Sequence, residues 1–137
     1  DRFQGYLDAL ADSGLARDGK IIVGREQQTF ENGYDAMKQL LQEKKATACF
    51  VAENPMAQGV FKCLMDYKKR IPEEMAMICY DDFEWSQLTV PTISAIRQPM
   101  KEMGRKAVEL LLKKIGDPDA QCENIILKSE FILRESC

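Results

Sequence analysis

Apolar positions along the chain switch repeatedly between helical and strand spacing. Phe3, Tyr6, Leu7 and Leu10 recur at helical intervals, and Gly14 suits the left-handed position just past a helix end. Lys20 to Val23 reads as a short apolar strand closed by Gly24. Phe30, Gly33, Tyr34, Met37, Leu40 and Leu41 predict a second helix, with Thr29 as its N-cap. Ala46 to Ala52 reads as a strand buried on both faces. Asn54-Pro55 reads as an N-cap followed by proline at the first helical position, and Ala57, Val60, Phe61, Leu64 and Met65 make one stripe beyond it. Met75 to Tyr80 and Ile93 to Arg97 are further apolar strands. Met100, Met103, Gly104, Ala107, Val108, Leu111, Leu112 and Ile115 keep the helical period until Gly116-Asp117-Pro118 stops it, and Ile125 to Leu133 returns as strand. Strands alternating with helices of roughly 10–16 residues predict βαβ units. The fold class is therefore α/β, with a mostly parallel sheet covered on both faces.

Composition narrows the function. The chain has 137 residues, about one domain's worth. Lys plus Arg is 19 and Asp plus Glu is 22, a net charge of −3, which excludes a basic nucleic-acid footprint on this segment as a whole. The absence of histidine removes Ser-His-Asp and Cys-His catalysis and any histidine zinc site. Cys49, Cys63, Cys79, Cys122 and Cys137 are odd in number, widely spaced and without C-x-x-C. They read as buried or free thiols in a reducing compartment, with no metal site and no cofactor. No apolar run reaches the ~18 residues of a membrane span, so no membrane partner is expected. Because the chain opens at Asp1 inside a helix, it reads as part of a longer protein. The runs Glu43-Lys44-Lys45 and Lys68-Lys69-Arg70 read as solvated faces.

In open parallel sheets, ligands sit beyond the carboxyl ends of the strands. Arg25, Glu26, Gln27 and Gln28 follow the strand ending at Val23, and Glu53 and Asn54 follow Ala52. Asp81 and Asp82 follow Tyr80, and Gln98 follows Arg97. Arg2 stands in the first turn of a helix whose preceding strand lies upstream. Carboxylates, amides and guanidinium groups each make paired hydrogen bonds to vicinal hydroxyls or a planar head group. That chemistry suits a small polar ligand such as a sugar or purine. The plainer readings are that Asn54 and Gln98 only cap helices and that Asp81-Asp82 is turn chemistry. A phospho-acceptor receiver domain would carry its acid pair after the first strand and a lysine after the last, which this order does not match. No G-x-S-x-G, P-loop or G-x-G-x-x-G is present, so no enzyme class is indicated.

Seven segments in order resemble the effector-binding core of the lactose-repressor (LacI/GalR) family of bacterial transcription regulators. They are Arg2 to Leu10 (R-x-x-G-[FY]-x-x-A-L), Gly33-Tyr34 with Leu40-Leu41, and Phe50 to Gly59 (A-x-N-D-x-M-A-x-G). Ile71 to Asp82 (V-P-E-D-V-S-V-[IV]-G-[FY]-D-D), Pro91 to Pro99 (P-x-L-T-T-[IV]-x-Q-P), the helix with Met103-Gly104, Ala107 and Leu111-Leu112, and Leu133 to Cys137 (L-[IV]-x-R-x-S-C) complete the set.

The resemblance implies a periplasmic-binding-protein-like, three-layer lobe within an incomplete two-lobe domain. Residues 1–98 and 119–137 would form the C-terminal lobe, and 99–118 a return helix of the N-terminal lobe. The chain would cross a hinge at Gln98-Pro99 and return near 119–124. An N-terminal helix-turn-helix, absent from this chain, would bind operator DNA. A small-molecule effector would sit between the lobes of a cytoplasmic homodimer.

Family effector contacts fall on Arg2, Asp81 and the position after Ala52. The family's Asn-Asp pair is Glu53-Asn54 here, its ring-stacking aromatic is Gln28, and the glycine before the aromatic-acid pair is Cys79. Gln58, Phe61, Trp85 and Leu88 are the expected dimer face. Trp85 reads either as core or as an interface anchor, and the aperiodic stretch from Phe83 to Val90 favours the interface. The alternative within this fold is a transporter's sugar-binding protein.

Overall fold

The computed structural model describes residues 2–24, 26–43, 46–121 and 123–137. Arg25, the Lys44-Lys45 part of the charge run and Cys122 lie outside the described residues. Five helices are α1 (Arg2–Asp12), α2 (Phe30–Glu43), α3 (Asn54–Asp66), the short α4 (Trp85–Leu88) and α5 (Met100–Gly116). The strands are β1 (Ala48–Val51), β2 (Ala76–Tyr80), β3 (Ser94–Arg97) and β4 (Glu130–Ile132). They pair in the order β1-β2-β3-β4. β1, β2 and β3 are parallel and β4 runs antiparallel to β3. The mostly parallel α/β sheet expected from the sequence is therefore present.

Local sequence explains the helix ends. Gly14, at φ +65°, closes α1, with the Leu15 amide donating to the Leu10 carbonyl. Thr29 caps α2 through its hydroxyl, which accepts from the Asn32 amide. α2 crosses α3 at two glycines. A Cβ on Gly33 would lie 2.2 Å from the Met56 carbonyl oxygen, and one on Gly59 would lie 1.9 Å from that of Phe30. Both helices approach closely only because these positions lack side chains.

The core lies between α3 and one face of the sheet. Met37 from α2, Ala57, Val60, Cys63 and Leu64 from α3, and Met77, Cys79 and Ala95 from the strands are buried there. The closing segment is threaded into this core. The Ser136 hydroxyl donates to the Met77 carbonyl (2.5 Å) and accepts from the Ser94 amide (2.8 Å). The Ser136 carbonyl accepts from the Met77 amide.

Four sequence expectations need correction. Lys20 to Val23 is not a strand of this sheet. Asp18 caps a 3-10 turn at Gly19–Ile21, and Ile22 follows in extended backbone. Ile21, Ile22 and Val23 line a groove of about 510 Å³ together with β1, and among the described residues they pair with no strand. For the same reason β1 is an edge strand. It is not buried on both faces, and Phe50 is 45% exposed.

Covering by helices holds for one face of the sheet. Successive strand side chains alternate between faces. The second face carries Phe50, Ile78, Tyr80, Ile96 and Phe131, none of them fully buried, and α1 reaches it through Arg2 over Tyr80. The last strand is only Glu130–Ile132, because β3 ends at Arg97 and leaves 125–129 without a partner strand.

α5 has the extent its periodicity predicts, yet none of its residues is buried. Met100, Leu111, Leu112 and Ile115 are each at least 59% exposed. Its apolar stripe is exposed rather than buried among the described residues.

Candidate functional site

The site builds up at the carboxyl ends of β1, β2 and β3. There the chain leaves each strand with polar residues, whose backbone groups are no longer held by the ladder. Arg2, in the first turn of α1, donates to the Ala52 carbonyl (2.5 Å) and to Glu53 Oε1 (2.9 Å). Its guanidinium lies 3.8 Å from the centre of the Tyr80 ring, within cation–π range. Arg2, Gln28 and Glu53 line one end of the groove together with Tyr6 and Ala52. Thus three of the sequence-selected residues converge. Gln28 is exposed on its rim.

The two acids after β2 play different parts. Asp82 has a side chain only 1% exposed and lies 2.8 Å from Arg134. It also receives hydrogen bonds from Arg97 (Nε, 3.0 Å) and from the Ser86 hydroxyl (3.1 Å). The Arg134 bond and the Arg97 guanidinium hold its carboxyl down to about 2 despite partial desolvation. This carboxylate is committed to the fold.

Asp81 is the available one. It adopts φ +70°, a left-handed conformation uncommon for a non-glycine residue. Its amide donates to the Ile96 carbonyl (3.0 Å) and its Oδ1 accepts from Gln98 Nε2 (2.5 Å). Cys79, where the family pattern has glycine, points its thiol at the Asp81 carbonyl (3.5 Å). Burial pushes that thiol up to about 11, so it is a packed neutral group.

Asn54 needs correction. α3 begins at Asn54, and Glu53 occupies the cap position without a side-chain bond. The Asn54 Oδ1 instead accepts from the Trp85 indole (2.7 Å). This ties the start of α3 to α4. Trp85 is half-buried, packs against the core, and its ring centre lies 6.3 Å from that of Phe61. Gln58 and Leu88 are exposed, Leu88 at 83%.

Sequence reading missed Tyr80, Arg97 and Arg134 as parts of the site. Tyr80 had a signal in the alternation of β2, which puts it on the face opposite Met77 and Cys79. Nothing local links Arg134 to Asp82. Among the described residues no cluster suited to a metal ion occurs, and no helix is long and apolar enough to cross a membrane.

The whole chain, residues 1–137, matches the model of the periplasmic binding protein-like domain. The chain belongs to this family. Its relatives are LacI-type repressors rather than enzymes. It is 34% identical over 137 residues to the ribose operon repressor of Haemophilus influenzae, covering 99% of this chain and 41% of that protein. It is 32% identical to the repressor PurR of the same organism, covering 98% and 41% respectively. Among solved structures, the transcriptional regulator CelR–cellobiose complex superposes with a TM-score of 0.90 at 29% identity, covering 99% of this chain and 42% of that one. The regulator CcpA of Lactococcus lactis gives 0.87 at 28% identity, covering 98% and 49%. This chain thus spans about two-fifths of the length of the curated relatives it matches.

Proposed function

We propose that this chain is the ligand-sensing part of a LacI-type transcriptional repressor that recognises a small hydroxyl-rich molecule, sugar-like in its hydrogen bonding. One observation carries the reading: of the two adjacent acids, Asp82 is neutralised by arginines while Asp81 keeps an oxygen open beside the strand ends. That open carboxylate offers an acceptor, and Arg2, Glu53 and Gln28, which line the groove, offer a forked donor and further acceptors to vicinal hydroxyls. The CelR–cellobiose complex among the similar structures supports a sugar-like effector.

In this reading residues 1–98 and 119–137 form one lobe. α5 belongs against the other lobe, and Gln98-Pro99 is the hinge. The uncovered apolar stripe of α5 supports that division. Ligand closing the cleft shifts the angle between lobes by its differential affinity for the two arrangements, with coupling of roughly 1–3 kcal/mol. Operator DNA is bound by a domain outside this chain, and the working protein is a cytoplasmic homodimer.

Calorimetric titration of the full-length protein with D-ribose and cellobiose tests the site. Wild type binds one of them, and Arg2→Ala and Asp81→Ala abolish binding while the fold is retained. Unchanged affinity in both variants sinks the assignment.

A further inference from the structure

The hydrogen bond between Gln98 and Asp81 joins the turn after β2 to the residue that leads into α5. Asp81 belongs to the strand-end site, and Gln98 is the last residue before Pro99 and α5. Among the described residues the Asp81 side chain accepts only from Gln98, and only through Oδ1 (2.5 Å). The second oxygen is left for a ligand.

The backbone around Asp81 is not free to follow a ligand. It is held at φ +70°, with its amide on the Ile96 carbonyl of β3. The next link on this path is the Gln98 side chain. Beyond it, the Met100 amide donates to the Gln98 carbonyl and the Met103 amide to the Pro99 carbonyl, so the first turn of α5 starts on this residue. α5 has no buried residue, and at its far end Lys113 and Lys114 bond to Glu123 and to the Pro118 and Ala120 carbonyls.

We propose that Gln98 is a positioning residue that transmits occupancy of the site to α5. Asp81 works as a two-sided carboxylate, with Oδ2 for the ligand and Oδ1 for the hinge. A ligand hydroxyl on Oδ2 fixes the carboxylate plane, which fixes Gln98 and with it the start of α5. By linkage, an orientation of α5 that pulls Gln98 away disturbs Asp81 and weakens the ligand. This inference rests on the proposed role of Asp81 as a ligand contact.

Hydrogen exchange in the full-length protein tests it, with and without saturating sugar from the calorimetric titration, D-ribose first. Without ligand, Gln98→Ala and Asp81→Ala raise exchange at residues 100–104 about tenfold, the scale of one lost charged hydrogen bond. Asp81→Asn keeps the Oδ1 acceptor and stays near wild type. With ligand, wild type gains protection at residues 100–104. Gln98→Ala still binds the sugar, more weakly than wild type, and shows no such gain. A purely structural glutamine would move affinity or stability and leave this coupling intact.

Unchanged exchange in both alanine variants overturns the proposal, as does ligand protection that persists in Gln98→Ala. If neither sugar binds, or Asp81→Ala binds as wild type does, the site reading falls instead, and the ligand-free arm still decides the tie between Asp81 and Gln98.

Discussion

Arg134, four residues from the end of the chain, approaches Asp82 to 2.8 Å and neutralises the second acid of the pair after β2. The same guanidinium also donates to the Ile93 carbonyl (2.6 Å), so the closing segment is clamped across β3. This pair decides which of the two adjacent acids is ion-paired, and it sets a pH dependence.

The folded pKa of Asp82, about 2, lies below that of an unfolded aspartate. Its stabilisation is therefore fully present above about pH 4 and is lost as pH falls towards 2. The shift corresponds to about 2 kcal/mol. Urea unfolding between pH 6 and pH 2.5 should show this loss in wild type and a flatter profile in Asp82→Asn. Equal slopes in the two proteins would show that the pair contributes nothing.

Ser136 carries a second clamp. Its hydroxyl is completely buried and holds both the Met77 carbonyl and the Ser94 amide. Ser136→Ala leaves two buried backbone groups unpaired and should lower stability by about 2 kcal/mol. Chemical denaturation reads the change directly, and a shift under half of that would mean that water replaces the hydroxyl.

Gly59 tests the helix crossing. Alanine there would put a Cβ against the backbone of Phe30, which cannot rotate aside. Gly59→Ala should destabilise by about 3 kcal/mol, near the upper end for overpacking. Gly104→Ala, where nothing lies within 4 Å of the new Cβ, should be neutral or stabilising. The comparison separates steric clash from the helix propensity both changes share.

The proposed dimer face is tested best at Leu88, whose exposure leaves no folding role to confuse the result. Leu88→Asp in the full-length protein should shift sedimentation towards monomer with an unchanged circular dichroism spectrum. Trp85→Glu should do the same while also losing the bond to Asn54. A persistent dimer in both variants places the interface elsewhere.

Elements held together by short-range pattern were legible in the sequence. The period of α1, α3 and α5, the caps at Gly14 and Thr29, and the apolar runs of β2 and β3 are local facts, and local sterics and burial decide them. The placing of Glu53 and Asp81 at one end of the sheet followed from one topological rule, that ligands meet parallel sheets at the carboxyl ends of strands. Asn54 was misread because an N-cap and an indole acceptor need the same side chain. Only the position of Trp85, 31 residues away in sequence, separates them.

By itself the sequence determined the α/β alternation and the family. These depend on periodicity and on residue types in fixed order. Tertiary structure alone decided that Lys20 to Val23 stays out of the sheet, that Asp82 is neutralised while Asp81 is open, and that Gln98 holds Asp81. Each of these depends on which groups meet across many residues of chain, and local spacing carries no record of that.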